Sequence, residues 1–127
     1  LRHVSYPNTD IFLICFSLIS PTSLNNIDKV WLPDIEKHLD GKFKYILVGL
    51  KSDLRDHFDS HKDEFANQDF EPISKERAEE FKERIGAFEY IECSSSQKYN
   101  IKEVFEVAAK IVLKDRQERN RKTCHLI

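Results

Sequence analysis

The chain has 127 residues, enough for one domain that buries roughly two-thirds of its unfolded surface. Its 20 basic and 22 acidic residues leave a net charge of −2, so no global field points to nucleic acid and no nucleic-acid partner is expected. The balance is uneven, because Lys114, Arg116, Arg119, Arg121 and Lys122 face only Asp115 and Glu118 in the segment 114–127, and an acidic body with a basic tail implies a partner for the tail. Cys15, Cys93 and Cys124 are odd in number and widely spaced, which fits reduced thiols in a cytosolic protein better than a disulfide framework. No apolar run approaches the ~20 residues of a membrane span, and no signal-peptide pattern is present. The chain opens on Leu1 rather than methionine, so a fragment of a longer protein is expected.

Taken in order, residues 1–10 are polar and turn-rich, and Pro7 favours an extended approach to the first apolar run. That run, Ile11 to Ser17, is near-continuous, the pattern of a strand buried on both faces in a parallel sheet. Ser20-Pro21 predicts a helix start, with Leu24, Ile27, Val30, Trp31 and Ile35 on one face and a kink at Pro33. Lys44 to Gly49 predicts a second strand, and Arg55 to Phe70 is a charge-rich excursion without apolar period, read as an insertion holding at most a short helix. Ser74 starts a helix that runs to about Ile85, before Gly86. Phe88 to Glu92 is a third strand, Asn100 and Glu103 form a capping pattern, and Ile101, Val104, Phe105, Ala108, Ile111 and Val112 give a helical stripe. Strand and helix alternate three times, which predicts an α/β fold of parallel βαβ units with right-handed crossovers.

Chemistry concentrates where strands end. Lys51 and Asp53 follow the second strand, and Ser94 and Ser95 follow the third. Ligands in open α/β sheets sit outside the carboxyl ends of parallel strands. A cationic stem and a carboxylate there can grip a nucleobase by stacking and paired hydrogen bonds. Lys-x-Asp alone is a common solvated turn and by itself weak evidence of a site. His57, Asp59, His61 and Asp63 alternate as metal ligands on a strand face would, but their neighbours do not form a strand, so a solvated, partner-facing insert is expected and no metal site.

In order and spacing, these blocks resemble the C-terminal two-thirds of a Rho-family small GTPase. LRHVSYPNTD at the start resembles the stretch after the second switch, Trp31 to Ile35 (WLPDI) the kinked helix, and Leu50 to Asp53 (LKSD) the guanine-specifying [N/T]-K-x-D motif. Residues 55–70 match the position of the Rho insert, Arg84 to Phe88 and Glu92 to Ser95 (ECSS) the second guanine loop, and Cys124 to Ile127 (CHLI) a prenylation box. The resemblance implies an incomplete P-loop-NTPase-like parallel sheet of three strands with flanking helices. It implies a partial GTPase domain over 1–113 and a basic, lipid-anchored tail over 114–127.

By the same resemblance, Asp53 accepts from guanine N1–H and N2–H, Lys51 lies on the base plane, the Ser95 N–H meets O6, and Ser94 supports the Asp53 loop. Leu1, Arg2, Tyr6 and Pro7 would face regulators and effectors. The implied ligands are GTP and GDP with Mg2+ in the complete protein. The implied partners are exchange factors, GTPase-activating proteins, a dissociation inhibitor and actin-directed effectors. Prenylation at Cys124 beside basic residues would place the protein at the cytoplasmic face of the plasma membrane.

Leu50 stands where the family has a polar Asn or Thr, and Ser95 and Ser96 where it has alanine and then lysine or leucine. There is no G-x-x-x-x-G-K-[ST] and no catalytic residue to assign: the only Gly-Lys, Gly41-Lys42, is followed by Phe43. Two charge-assisted hydrogen bonds at about 1.5–3 kcal/mol each compare poorly with the roughly 4–15 kcal/mol cost of fixing a ligand. The chain alone is expected neither to bind GTP tightly nor to hydrolyse it. The competing expectation is a truncated, non-catalytic Rho-like interaction module without nucleotide binding.

Overall fold

The computed structural model describes residues 9–39, 43–58 and 70–126, with side chains as far as residue 118. Three parallel strands, β1 (Phe12–Ser17), β2 (Tyr45–Leu50) and β3 (Tyr90–Glu92), form a sheet in the order β1-β2-β3. β2 is the centre: Ile14 pairs with Leu47 on one side, and Leu47 with Tyr90 on the other. Ile46, Leu47 and Val48 are all buried, so the apolar run in the sequence reflects a strand covered on both faces. β3 is shorter than the predicted 88–92, although the Phe88 N–H still donates to the Tyr45 carbonyl ahead of it.

Side chains alternate across the sheet and build two cores. On one face Ile14, Phe16 and Leu47 pack with Leu24, Ile27, Ile35, Ala78 and Phe81 from the helices. On the other Ile46, Val48 and Cys93 pack against Val104 and Ala108. Cys15 and Cys93 are free thiols.

Ser20 caps α1 (Pro21–Asn26), its hydroxyl accepting from the Ser23 N–H. The predicted kink at Pro33 takes a different form. A π-helical turn, Ile27–Trp31, widens the helix, and α2 (Leu32–His38) continues beyond it. Proline clashes with the carbonyl four residues back, and here the Leu32 N–H reaches the Ile27 carbonyl, five residues back, within the widened turn. α3 (Ser52–Asp56) follows β2 after Lys51, so it starts before the expected insertion, 55–70, and only its last two residues fall within it. Ser74 caps α4 (Lys75–Ile85), and Gly86 ends it at φ 78°, a left-handed conformation that glycine adopts without strain.

α5 (Ile101–Leu126) runs without interruption past residue 114. Two expectations for it change. Asn100 is left-handed (φ 58°) and its amide donates to the Glu92 carbonyl rather than capping the helix. Phe105 is 62% exposed, because Val104 and Ala108 take the face toward the sheet. No helix among the described residues is long and apolar enough to cross a membrane.

Candidate functional site

The loops leaving β2 and β3 meet at the carboxyl edge of the sheet. Three non-glycine residues among those described have positive φ: Lys51, Lys98 and Asn100. All three lie in these two loops, and left-handed backbone costs an L-residue roughly 1–2 kcal/mol. Such outliers persist only where surrounding structure over-determines them, and they gather at functional sites.

Lys51, at φ 64° and ψ 41°, turns the chain sharply out of β2. Its carbonyl accepts from the Leu54 and Arg55 N–H groups, starting α3, while its side chain is exposed. The turn aims the Ser52 N–H at the Cys93 carbonyl, 3.1 Å away, which ties the first loop to the second by backbone alone. Leu50 therefore does not carry that tie; its half-buried side chain packs with the Ile46, Val48 and Cys93 core.

Asp53 stands in the first turn of α3, half-buried. The Ser94 hydroxyl donates to its Oδ1 at 2.7 Å and the Ser96 hydroxyl to its Oδ2 at 2.9 Å. Partial burial pushes the Asp53 carboxyl up, but the hydroxyls of Ser94 and Ser96 and the N–H groups of Asp53 and Leu54 outweigh it. The carboxyl is held below its usual range and presents acceptors only at neutral pH.

Ser94 is fully buried, its backbone exchanging hydrogen bonds with Tyr99 at 3.0 and 2.9 Å and its hydroxyl accepting from the Gln97 N–H at 3.3 Å. Ser95, next in the chain, is exposed, and among the described residues its N–H has no acceptor. Lys51, Asp53, Ser94 and Ser95 thus share one corner of the molecule. The set offers a cation, two carboxylate acceptors and a backbone donor, which suits a planar heterocycle with adjacent N–H groups and a nearby carbonyl.

Behind this corner lies a network that the sequence does not announce. Both terminal nitrogens of Arg55 bind the Glu92 carboxylate, Nη2 to Oε1 at 2.6 Å, and the Tyr90 hydroxyl donates to Oε2 at 2.6 Å. Arg55 and Glu92 side chains are 14% and 13% exposed. Arg55 also donates to the Ile73 carbonyl at 3.3 Å. Arg55 is two residues beyond Asp53 and Glu92 two before Ser94, so the pair makes a further tie between the two loops. Arg55 is accordingly no solvated insert residue. The signals in the sequence are an arginine after the Lys-x-Asp turn and a glutamate closing an apolar strand. Ser96 is likewise visible there only as the third serine of a run.

Leu1, Arg2, Tyr6, Pro7, Asp59, His61 and Asp63 lie outside the described residues, as does residue 127. His57 is exposed just beyond α3. Cys124 falls on the backbone of α5, its side chain outside the description. Among the described residues no group of three or more His, Cys, Asp or Glu side chains gathers as metal ligands.

The model of one protein family, described as the Ras family, matches residues 1–114. That match spans the sheet, both strand-end loops and about the first half of α5. A three-stranded parallel sheet flanked by helices is what part of such an α/β domain presents. The chain therefore belongs to the Ras family of small GTPases, proteins that switch with bound guanine nucleotide.

Proposed function

We propose that this chain is the guanine-recognising portion of a Rho-type small GTPase, with Lys51, Asp53, Ser94 and Ser95 as its base site. One observation carries the reading: the Ser94 hydroxyl crosses between the loops to fix the ionised Asp53 carboxylate, beside the open Ser95 N–H. Asp53 accepts from guanine N1–H and N2–H, a donor pair that adenine does not offer. The Ser95 N–H donates to O6, and the Lys51 stem covers the base plane. These residues choose the base; they do not touch phosphate, and no step of hydrolysis is assigned to them. Mg2+, when bound in a complete switch, neutralises phosphate charge.

The Rho assignment rests on Trp31 to Ile35, on the polar excursion 55–70 and on the ends of the chain. Leu1, Arg2, Tyr6 and Pro7 would flank a regulator- and effector-docking surface serving exchange factors, GTPase-activating proteins, a dissociation inhibitor and actin-directed effectors. A prenyl group on Cys124, with the basic residues of 114–127, gives the two signals needed for reversible anchoring to the cytoplasmic face of the plasma membrane.

The test is Asp53→Asn, followed by nuclear magnetic resonance titration with guanosine and xanthosine monophosphates. The amide replaces one acceptor by a donor, and preference is expected to pass from guanine to xanthine. Unchanged preference refutes the role of Asp53. Failure of the complete protein to bind any nucleotide favours the interaction-module alternative.

A further inference from the structure

Ser96 takes no part in the proposed base contacts, yet its hydroxyl is on Asp53. The Ser94 and Ser96 oxygens lie 2.7 and 2.9 Å from Oδ1 and Oδ2 respectively, and 3.2 Å from each other. Two donors side by side, one to each carboxylate oxygen, reproduce the arrangement that guanine N1–H and N2–H would present to the same group.

The two serines differ in freedom. Ser94 is 0% exposed and also accepts from the Gln97 N–H, so its hydroxyl is fixed. Ser96 is exposed, and rotation about one bond sends its hydroxyl to water. A carboxylate has about four acceptor positions, so the serines do not exhaust it. A rigid N–H pair, however, needs two parallel directions, one on each oxygen, and Ser96 competes for the outer one.

We propose that Ser96 is an internal competitor for guanine at Asp53: its hydroxyl holds Oδ2 until the base displaces it, aiming the carboxylate while lowering affinity. This rests on the reading of Asp53 as the base acceptor. Displacement exchanges one hydrogen bond for another and returns the serine to water, so the net penalty is that of a single exposed hydrogen bond, about five-fold in affinity.

The test uses the 127-residue chain with Ser96→Ala and Ser96→Thr. Guanosine monophosphate is titrated into each in the millimolar range, and the Asp53 carboxyl is followed by carbon-13 resonance across pH without nucleotide. Ser96→Ala is expected to bind about five-fold tighter, and its Asp53 carboxyl to titrate at higher pH. Ser96→Thr, which keeps a hydroxyl, should match the unsubstituted chain on both counts. Equal or weaker binding by Ser96→Ala, with Asp53 still responding to nucleotide, overturns the competition and leaves the base site standing. An unmoved Asp53 titration in Ser96→Ala overturns it too, because the hydroxyl is then not on the carboxylate in solution. If nucleotide leaves Asp53 undisturbed in all three proteins, the acceptor role fails and the competition with it.

Discussion

The Glu92 carboxylate accepts from both terminal nitrogens of Arg55 and from the Tyr90 hydroxyl. Partial burial pushes its acid form up, but these partners outweigh it and hold the carboxyl below its usual range. A bidentate guanidinium–carboxylate pair fixes orientation as well as distance, which is why lysine would be a poor replacement for Arg55. Removing one partner leaves the other charge in a site where both side chains are about one-eighth exposed. Arg55→Ala should therefore cost about 3–5 kcal/mol of stability in urea unfolding. The volume-matched double change Arg55→Met with Glu92→Leu should recover most of it, because no buried charge remains. A loss of Arg55→Ala below about 1 kcal/mol would place the pair among solvent-screened surface bridges instead.

At the scale of the element, β2 organises the fold and Gly49 limits what can be put on it. A Cβ at Gly49 would sit 2.8 Å from the Tyr90 hydroxyl oxygen and 3.1 Å from two Leu18 side-chain carbons. The hydroxyl is a side-chain tip, but it is not free: it donates to Glu92, and the Tyr90 ring stacks on Phe16 with centroids 6.2 Å apart. Leu18 is fully buried. Gly49→Ala should cost about 1–3 kcal/mol as an overpacking change, with Tyr90 pushed off Glu92. Thermal unfolding measures the loss; Gly49→Ala together with Tyr90→Phe, which removes the nearest atom, should lose less than the two single changes summed. Full additivity would mean that the two positions do not meet.

Much of this element-level order is legible in the sequence. Ser20, Ser74 and Gly86 mark helix ends by local hydrogen bonding and a left-handed φ, and β2 declares itself by a run that only a two-sided burial explains. What stays hidden depends on partners distant in sequence. Glu92 meets Arg55 only because β3 pairs with β2 so that Glu92 lies opposite Gly49. Asn100 gives up its cap because the Glu92 carbonyl is within reach of its amide. The candidate site divides in the same way. Lys51, Asp53, Ser94 and Ser95 come into view through the family resemblance, whereas the second hydroxyl on Asp53 depends on the loop's three-dimensional course.

For the whole molecule, these local pairs set a pH window of stability. The Asp53 and Glu92 carboxyls both have folded pKa values below their usual range. A depressed carboxyl binds fewer protons in the fold than in the unfolded chain, so its contribution is full above the unfolded value, about 4. It is lost as pH falls through the folded value. The tyrosines act at the other limit. Burial first, and then the hydrogen bond to Glu92, raises the Tyr90 hydroxyl above its usual range; burial and the charge of Glu36 raise Tyr45, whose hydroxyl donates to the Ile85 carbonyl. A raised group contributes fully below the unfolded value, about 10 for tyrosine, and loses that contribution as pH rises toward the folded one. Urea midpoints should therefore be flat near neutrality and fall on both sides. Glu92→Gln tests the acid limb. It lowers the plateau, because Arg55 loses its anion, and it flattens the decline below pH about 4, because the proton that the fold excludes no longer exists. An acid limb of unchanged steepness in Glu92→Gln would assign the decline to other carboxylates and leave Glu92 no part in it.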